Sequence, residues 1–395
     1  MKILYVTRVP TTATHFIFPL AKILRERGNI VEFAFGPGLG LKKVEEAGFP
    51  FTMLSMDKMS RSFGNFRVIN QLSKVIKNGQ YDVVHTYSPV MGIYGRIAAL
   101  KGRTPIVIHS IIGSMLVPGV PLTHRLLFFT SELLTSRMID LFITLNDEDA
   151  RAMVRYGMAS SQKVVTLKYE YGIDLTKFNP ELIDKTLLEE ARRKYHLQDG
   201  IPVIGFVGRM IGTKGILDLF EAYRSLRAKG TNLKLLYLGE VISTDNDKYS
   251  FELLKSLVKE SGFENDVIFL GMQENVPFYI SLMDVVVHPT HNEGFPRIPV
   301  EAGAMRKPSI CTAVSGAHIA IEEGKTGFIV PLKNPARIAE AIQKFISNPL
   351  LVRDMGNAAR QRVVDLFDEN KIVDQQIQIY QEFFKKNKKT AKYII

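Results

Sequence analysis

Residues 284–301 read Asp-Val-Val-Val-His-Pro-Thr-His-Asn-Glu-Gly-Phe-Pro-Arg-Ile-Pro-Val-Glu, the most informative stretch of the chain. The apolar run 284–289 predicts a buried strand, and the glycine and prolines after it predict a turn into a helix. Both prolines fall where a first helical turn begins, near Pro296, so their missing N–H groups remove no intrahelical hydrogen bond. A strand that leads through a turn into a helix is the repeating unit of parallel α/β sheets.

Two carboxylates, Glu293 and Glu301, bracket this turn. The amides of Arg297 and Ile298 are expected to point out of the positive end of the helix, which suits a phosphate. Carboxylates beside that helix end suit the hydroxyl groups of a ribose or a hexose. Together they predict a site for an anion next to a polyol, the combination found in a nucleotide sugar.

Strand and helix patterns alternate along nearly all of the 395 residues. The predicted strands form two series, 2–7, 30–35, 51–54, 82–85, 105–109, 141–144 and 163–167, then 202–207, 234–238, 266–270, 285–289, 309–313 and 327–330. Such alternation indicates parallel sheets with helices on both faces and ligands at the carboxyl ends of the strands. We expect an α/β protein with two Rossmann-like, doubly wound domains facing a cleft. The first spans 1–179 and the second 180–368, and a last helix, about 369–395, packs back on the first.

The charge of the chain is unevenly distributed. The formal net charge is +11, and residues 1–178 hold 22 Lys and Arg against 13 Asp and Glu, whereas the remainder holds 29 against 27. A basic first domain predicts attraction to an anionic membrane or to a phosphate-bearing acceptor. A solvated basic surface without a partner is the alternative. Because no aromatic-rich basic platform or recognition motif accompanies the charge, we do not expect a nucleic-acid partner.

The sequence predicts a cytoplasmic protein that is peripheral at the inner face of the cell membrane. No run reaches the roughly 18–20 apolar residues of a spanning helix, and glycines and prolines interrupt the best candidate, 111–122. The apolar start of the chain is too short for a signal peptide. Cys311 is the only cysteine, which excludes an intrachain disulfide and fits a reducing compartment. The lysine-rich tail 385–392 reads as a frayed terminus, with a lipid-binding arm as the alternative.

A glycine-rich loop at 208–215, Gly-Arg-Met-Ile-Gly-Thr-Lys-Gly, lies between a predicted strand and a predicted helix. The backbone of such a loop can approach a diphosphate closely, while Arg209 and Lys214 neutralise its charge. A plain turn with exposed cations is the alternative. The loop is not a P-loop, because Thr213 stands where that motif has glycine and no Ser or Thr follows Lys214.

Two histidines, His85 and His109, each end a predicted strand, so either imidazole can hydrogen-bond a substrate hydroxyl. A satisfied structural histidine is the alternative. The glycines of 36–40 have the wrong spacing for a dinucleotide fingerprint and are read as a turn. No cluster of His, Cys and carboxylates has the spacing of metal ligands, and we predict no metal.

Four elements together resemble the large retaining glycosyltransferases of the GT-B fold, family 4, and the resemblance covers nearly the whole chain. They are Gly208-Arg209 with Lys214-Gly215, Glu293-Gly294-Phe295-Pro296 with Glu301, Gly172-Ile173-Asp174 with Lys177-Phe178, and Gly324-Lys325-Thr326-Gly327. Similar members of this family build bacterial surface polysaccharides such as capsule, lipopolysaccharide and exopolysaccharide.

The resemblance implies a role for each matching residue. Arg209 and Lys214 would hold the donor diphosphate, Glu293 would face the transferred sugar, and His109 would lie near that sugar; these four form the catalytic set. Glu301 would bond the ribose hydroxyls. The remaining donor contacts would come from the backbone of Gly294, Phe295, Pro296, Arg297 and Ile298, and, around the base, from Gly271, Met272 and Gln273.

The resemblance also implies the chemistry. A hexose or N-acetylhexosamine would leave a nucleotide diphosphate, UDP in our interpretation, for a lipid-linked or growing glycan acceptor. Fixed cations and helix-end amides would stabilise the departing phosphate in place of a metal ion. The β-phosphate would take the acceptor proton, so neither a cofactor nor a protein base is required, and Glu293 is not assigned as a nucleophile.

The chain departs from the family pattern at two places. Residues 10–14, Pro-Thr-Thr-Ala-Thr, replace a frequent glycine pair, and Ile319 stands at a frequent glutamate position. The first departure puts phosphate contacts from the first domain in doubt, and the second does the same for contacts around 316–324. Two alternatives stay open: a nucleotide-sugar epimerase of similar architecture, and a non-catalytic polyanion- or membrane-binding protein that retains the fold.

Overall fold

The computed structural model describes residues 1–56, 66–111, 122–144, 147–167, 172–242, 247, 249–293, 295–314 and 316–386. The chain forms two compact units, Met1–Gly172 with Glu369–Ile395, and Ile173–Asp368. Residues 112–121, in the apolar segment considered above, and the tail beyond 386 lie outside the described residues. Within the described residues, no helix is long and apolar enough to cross a membrane.

The first unit contains a seven-stranded parallel sheet in the order β3-β2-β1-β4-β5-β6-β7. Its strands are β1 Lys2–Val6, β2 Ile30–Phe35, β3 Phe51–Met53, β4 Val83–Tyr87, β5 Ile106–Ile111, β6 Leu141–Thr144 and β7 Val164–Thr166. Its helices are α1 Pro10–Thr12, α2 Phe18–Glu26, α3 Leu41–Glu46, α4 Phe66–Gly79, α5 Pro89–Gly102, α6 Leu122–Thr135 and α7 Asp147–Arg155, with short helical turns at Ala13–Ile17, Ser136–Met138 and Ser161–Lys163.

The second unit contains a six-stranded parallel sheet in the order β10-β9-β8-β11-β12-β13. Its strands are β8 Val203–Val207, β9 Lys234–Leu238, β10 Val267–Gly271, β11 Val285–His288, β12 Ser309–Thr312 and β13 Gly327–Val330. Its helices are α8 Lys185–Lys194, α9 Ile216–Ala228, α10 Tyr249–Glu260, α11 Val276–Ser281, α12 Arg297–Ala304, α13 Ala317–Ala320, α14 Pro335–Ile346 and α15 Pro349–Leu366, with short helical turns at Pro180–Leu182 and Gly212–Lys214. The last helix, α16 Glu369–Lys386, belongs to the first unit.

Each sheet is covered by helices on both faces, as its buried strands require. In the first unit, one hydrophobic cluster includes side chains of α2 and α16, and a second includes side chains of α4 and α5. In the second unit, the largest cluster gathers side chains of α9, α10 and α14 around β8, β9 and β11. The predicted α/β class with two Rossmann-like domains is confirmed.

The last helix attaches to the first unit through a buried hydrogen-bond network. The hydroxyl of Tyr380 on α16 lies 2.5 Å from Nδ1 of His85 and 3.2 Å from the hydroxyl of Tyr5 on β1. The aromatic face of Tyr380 also contacts Phe384 one turn later. Burial of this apolar face explains why a helix from the end of the chain returns to the first sheet.

The division between the units falls at Gly172 and Ile173, earlier than the junction expected near Asn179-Pro180. The amide of Ile173 donates to the carbonyl of Phe367 at 2.6 Å. Further along, Arg360 donates to the carbonyl of Phe178 at 2.8 Å. Because both partners lie on or just after α15, residues 173–179 belong with the second unit.

All thirteen predicted strands are present in the structure, and their ends differ from the prediction by at most two residues. The largest differences are at β4 and β5, which continue two residues past His85 and His109. The prediction that these histidines end their strands was therefore wrong. Both strands continue to a residue with high strand propensity, Tyr87 in β4 and Ile111 in β5.

Candidate functional site

The candidate site lies at the carboxyl ends of β8 and β11. These neighbouring strands mark the point where the strand order of the second sheet reverses, because β9 and β10 continue to one side and β12 and β13 to the other. Open parallel sheets bind ligands at such a switch point. The glycine-rich loop 208–215 follows β8, and residues 289–296 follow β11. The topology thus brings together the two stretches that sequence reasoning selected separately.

An ion pair joins the two loops. The ammonium of Lys214 lies 3.0 Å from Oε2 of Glu293, and Nε2 of His288 lies 2.7 Å from the same oxygen. Burial by itself raises the pKa of Glu293, but the hydrogen bonds and charges of His288 and Lys214 outweigh it and lower that pKa below its ordinary value. Glu293 is therefore ionised at neutral pH and suited to accept a hydrogen bond, not to donate a proton.

A second set of contacts fixes the glycine-rich loop against the β11 loop. Gly215 has φ +73°, and a Cβ atom there would lie 2.0 Å from the carbonyl oxygen of Pro289, so only glycine fits. The amide of His291 donates to the carbonyl of Thr213 at 2.8 Å. The ring of His291 also lies 2.7 Å from Oδ2 of Asp218, in the first turn of α9. Lys214 is thus carried by a backbone that is held on both sides.

The middle of the glycine-rich loop is held by an aspartate. Asp247 accepts hydrogen bonds from the amide of Gly212 at 2.7 Å and from the hydroxyl of Ser250 at 2.7 Å. These bonds lower the pKa of Asp247 below its ordinary value. Arg209, two residues after the end of β8, is exposed. Both predicted diphosphate-binding cations therefore lie on one loop, on either side of Gly212.

The helix predicted near Pro296 begins at Arg297, with Pro296 as its N-cap. Phe295 packs against Phe367 with ring centroids 5.9 Å apart, which fixes the entry to the helix. Ile298 is half-buried in the first turn. Gly294 lies outside the described residues, so its predicted role is not tested by the structure.

Glu301 lies one turn into α12. Its carboxylate is 3.5 Å from the guanidinium of Arg297, four residues earlier. Burial raises the pKa of Glu301, and the positive charges of Arg297 and Lys177 oppose that rise. A mostly buried carboxyl on the helix that leaves the switch point is placed to bond hydroxyl groups of a ligand there.

The predicted base-contacting residues lie at the end of β10 and just after it. Gly271 ends that strand with φ +68°, and Met272 is 62% exposed. The side-chain amide of Gln273 donates to the carbonyl of Leu270 at 2.7 Å, which closes the turn. A cavity of about 470 Å³ opens beside them, lined by Gly239, Glu240, Val241, Ile242, Phe251, Glu252, Phe269 and Gly271.

In the first unit, the two histidines differ in what their rings contact. His85 uses both nitrogens within the fold, Nδ1 towards Tyr380 and Nε2 towards Ser110 at 3.0 Å. Burial lowers the pKa of His85 to about 3, so the ring is neutral. The possibility that His85 binds a substrate hydroxyl is therefore not supported, and its role is structural.

His109 is held by Thr86 of the neighbouring strand β4. Its Nδ1 lies 2.8 Å from the hydroxyl and 3.1 Å from the carbonyl of Thr86. Burial, followed by the charges of Arg96 and His85, lowers the pKa of His109 well below its ordinary value. His109 is thus a neutral imidazole whose Nδ1–H is fixed on the carbonyl of Thr86, which leaves Nε2 as the acceptor nitrogen.

Three polar residues that hold the site are His288, His291 and Asp218; sequence reasoning ranked the two histidines below His85 and His109 and did not select Asp218. A histidine at a strand end was a weak signal for His288, and an aspartate in a first helical turn normally indicates only a favourable helix dipole. None of the three gave a sign of its partner. Among the described residues, no three His, Cys, Asp or Glu side chains are grouped in a way that would hold a metal ion.

Comparisons with known proteins address both halves of the chain. Residues 188–362 match the family model described as glycosyl transferases group 1, and residues 13–169 match the glycosyl transferase 4-like domain. The chain is 29% identical to the capsular polysaccharide biosynthesis glycosyltransferase CapM of Staphylococcus aureus, over 93% of each sequence. It is 24% identical to the Escherichia coli UDP-Gal:alpha-D-GlcNAc-diphosphoundecaprenol alpha-1,3-galactosyltransferase, over 78% of this chain and 77% of that protein.

Solved structures confirm the fold. The crystal structure of Anabaena HepE in complex with UDP matches with a TM-score of 0.82 at 20% identity, over 97% of this chain and all of the other. A crystal structure of a glycosyltransferase from Rickettsia africae matches with a TM-score of 0.81 at 22% identity, over 98% and 99% of the two chains. The protein is a glycosyltransferase that combines a glycosyl transferase 4-like domain with a domain of the glycosyl transferases group 1 family.

Proposed function

We propose that the protein transfers a hexose or N-acetylhexosamine from a UDP-sugar to a lipid-linked or growing cell-surface glycan, with retention of configuration and without a metal. The observation that carries this proposal is the contact between Lys214 and Glu293 at the switch point of the second sheet. The ammonium of Lys214 is suited to a phosphate, and the ionised carboxylate of Glu293 beside it is suited to sugar hydroxyls. A nucleotide sugar presents those two groups side by side.

The donor is assigned along the switch point. Arg209 and Lys214 bind the diphosphate, together with amides at the start of α12. Glu293 accepts a hydrogen bond from the transferred sugar, and Glu301 accepts from the ribose. The base lies against Gly271, Met272 and Gln273, where the cavity beside β10 leaves room for it. Support for a UDP donor comes from the UDP complex of HepE and from the UDP-Gal donor of the E. coli relative.

The proposed reaction breaks the bond between the anomeric carbon and the β-phosphate oxygen and forms a bond to the acceptor oxygen on the same face. The departing phosphate gains negative charge, which the cations and helix-end amides stabilise without a metal. Its β-phosphate oxygen takes the acceptor proton. Glu293 is a binding residue in this scheme, and the low pKa of its carboxyl fits that role.

His109 stays a prediction from the resemblance. A histidine with a strongly lowered pKa is neutral at physiological pH and therefore adds no charge beside a carbocation-like sugar. As an acceptor, Nε2 of this tautomer fits a sugar hydroxyl.

The acceptor is proposed from the name of a relative, and the membrane from the surface of the first unit. The E. coli relative is named for a diphosphoundecaprenol acceptor, which is a lipid-linked diphosphate. On α6, Leu126, Leu133 and Leu134 are 62%, 39% and 76% exposed, at positions i, i+7 and i+8 of one helix face. Beside this apolar strip, Phe129 of the same helix packs on the exposed Tyr156 at the end of α7.

The partner proposed for the apolar strip is an anionic bilayer surface. Arg151 and Arg155 on α7 are exposed near Tyr156, and the first 178 residues are strongly basic. Apolar side chains with nearby arginines match the boundary between acyl chains and anionic headgroups. Sedimentation with phosphatidylglycerol vesicles tests this: we expect binding that salt reverses and that Leu134→Glu weakens. Equal recovery with neutral and anionic vesicles at low salt would contradict it.

Thermal stabilisation across a panel of UDP-, GDP-, ADP- and dTDP-sugars tests the donor assignment. We expect a UDP-sugar to raise the melting temperature of the wild-type protein and Lys214→Ala to remove most of that rise. If no UDP-sugar stabilises the protein or is consumed by it, the proposal fails. Incubation of the protein with each nucleotide sugar in the absence of an acceptor distinguishes an epimerase. An epimerase would yield a new sugar isomer that is still attached to the nucleotide.

A further inference from the structure

His288 is the last residue of β11, and the loop that carries Glu293 follows it. Its side chain is buried, with 2% of it exposed, and its Nε2 points at Oε2 of Glu293 from 2.7 Å. A buried imidazole at this distance from a carboxylate makes a charge-assisted hydrogen bond, which is stronger than a bond between two neutral groups. His288 does not lie on either of the two loops assigned to the donor, so no role in substrate contact follows from its position.

The hydrogen bonds on Glu293 are unevenly distributed between its two oxygens. Both His288 and Lys214 contact Oε2, and among the described residues no hydrogen bond reaches Oε1. A carboxylate that is held by two donors on one oxygen presents the other in a fixed direction. The orientation of Glu293 is therefore set jointly by His288 at the end of β11 and by Lys214 on the glycine-rich loop.

The tautomer of His288 follows from its surroundings. Among the described residues, Nδ1 of His288 is buried and has no hydrogen-bond partner. A proton on that nitrogen would be a buried donor without an acceptor, which is costly. The ring consequently carries its proton on Nε2 and donates it to Glu293. Cys311 on β12 is the register neighbour of His288, but its thiol donates to the carbonyl of Thr312 and not to Nδ1 of His288.

We propose that His288 is a positioning residue: it fixes the orientation and ionised state of Glu293, and through Glu293 it governs recognition of the transferred sugar. The inference rests on the proposed function for the sugar contact, but not for the effect on Glu293 itself. The charged and titratable groups that face Glu293 are Lys214 from the glycine-rich loop, His288 from β11 and Cys311 from β12. Of the two that hydrogen-bond Glu293, Lys214 lies on a loop, whereas His288 belongs to strand β11.

The test compares two variants. His288→Gln can still donate from an amide nitrogen near the place of Nε2, whereas His288→Phe keeps a planar ring but cannot donate. His291→Gln is the matched control, because it alters a histidine–carboxylate pair three residues away that does not include Glu293. Circular dichroism and the melting temperature establish that each full-length variant is folded.

The first readout needs no substrate. Carbon-13 NMR titration of the glutamate carboxyls, with Glu293→Gln to assign the signal, follows the ionisation of Glu293 in each variant. We expect the midpoint for Glu293 to move to higher pH in His288→Phe and to stay near the wild-type position in His288→Gln and His291→Gln. An unchanged midpoint in folded His288→Phe would overturn the proposal, whatever the enzyme is found to transfer.

The second readout separates sugar recognition from nucleotide recognition. Calorimetric titration measures the affinities for UDP and for the UDP-sugar that stabilises the wild-type protein best. We expect His288→Phe to weaken UDP-sugar binding roughly tenfold while UDP binding stays within about twofold, because Glu293 faces only the sugar. Equal loss of affinity for both ligands would overturn the proposal that His288 governs recognition of the transferred sugar. A wild-type protein that binds neither ligand would instead contradict the proposed function and leave the NMR result to decide on His288.

Discussion

Lys214 and Glu293 form an ion pair across 79 residues of sequence, with the ammonium 3.0 Å from Oε2 of the carboxylate. The pair joins the loop after β8 to the loop after β11, the two strands at which the sheet order reverses. Each partner was selected from the sequence for a different reason, the lysine for a diphosphate and the glutamate for a polyol. Their contact is the structural reason to treat the two loops as one site.

Replacement of Lys214 by alanine should lower kcat/KM by about 10²–10³-fold, the range observed when one group that stabilises developing charge is removed. The ammonium is expected to act on the departing phosphate and, in addition, to orient Glu293. Lys229→Ala is the matched control, because Lys229 is an exposed lysine at the far end of α9. Steady-state kinetics with the identified donor makes the comparison. Similar losses in both variants would show that the effect of Lys214 is not specific.

Replacement of Gly215 by alanine should destabilise the second unit far more than replacement of Gly230. Both glycines have positive φ, +73° and +82°, so both variants carry the backbone cost of about 1–2 kcal/mol. Only at Gly215 would the new Cβ also clash, 2.0 Å from the carbonyl oxygen of Pro289; at Gly230 no atom lies within 4 Å. Urea denaturation measures the two free energies of unfolding. Equal values would mean that the contact between the two loops is easily displaced.

The fold could be predicted from the sequence because strand and helix periodicities are local. Every predicted strand was found, and the switch point follows from strand order once two parallel series are recognised. The ends of β4 and β5 were misplaced, because polar His85 and His109 look like strand ends although burial and hydrogen bonds keep them inside the sheet.

The site could be predicted only in part. Lys214 and Glu293 were identified because they lie in loops with an unusual composition. His288 was ranked low and Asp218 was not selected, since a residue that acts by holding another one leaves no local pattern; its partner is fixed by tertiary structure. The unit boundary at Ile173 was missed for the same reason, because it depends on a hydrogen bond to Phe367 almost two hundred residues later.

A buried ion pair in the first unit offers a test of its packing. Arg96 on α5 contacts Glu132 on α6 at 2.8 Å and donates to the hydroxyl of Thr135 at 2.7 Å, and neither charged side chain is more than 2% exposed. Arg96→Met should destabilise the protein by about 3–5 kcal/mol, because it leaves a buried carboxylate without its partner. The double variant with Glu132→Leu should recover most of that loss. A double variant less stable than Arg96→Met would contradict this account.

The stability of the first unit should fall as the pH drops below 6.5. His85 has a pKa of about 3 in the folded protein, against 6.5 for an ordinary histidine, so below 6.5 the unfolded chain takes up a proton that the folded chain refuses. Stability therefore increases with pH between about 3 and 6.5, by up to ~1.4 kcal/mol per pH unit for this histidine. His109 acts in the same direction.

Chemical denaturation at pH 7.5 and 5.5 measures this dependence, above the range in which ordinary carboxylates titrate. His85→Gln removes one titrating group, so we expect the loss of stability between the two pH values to be smaller in this variant than in the wild type. The comparison is made within each protein, which cancels the cost of the substitution itself. An equal loss in both proteins would show that His85 does not contribute.

Transfer with retention of configuration and without a metal is tested by hydrolysis of a UDP-α-sugar in excess EDTA. Proton NMR from the first minutes follows the anomeric configuration of the sugar that the enzyme releases. We expect the α anomer to appear first, without added metal, and its release to be much slower in Lys214→Ala and Glu293→Gln. Initial appearance of the β anomer would contradict retention of configuration, and release only after a divalent metal is added would contradict a reaction without a metal.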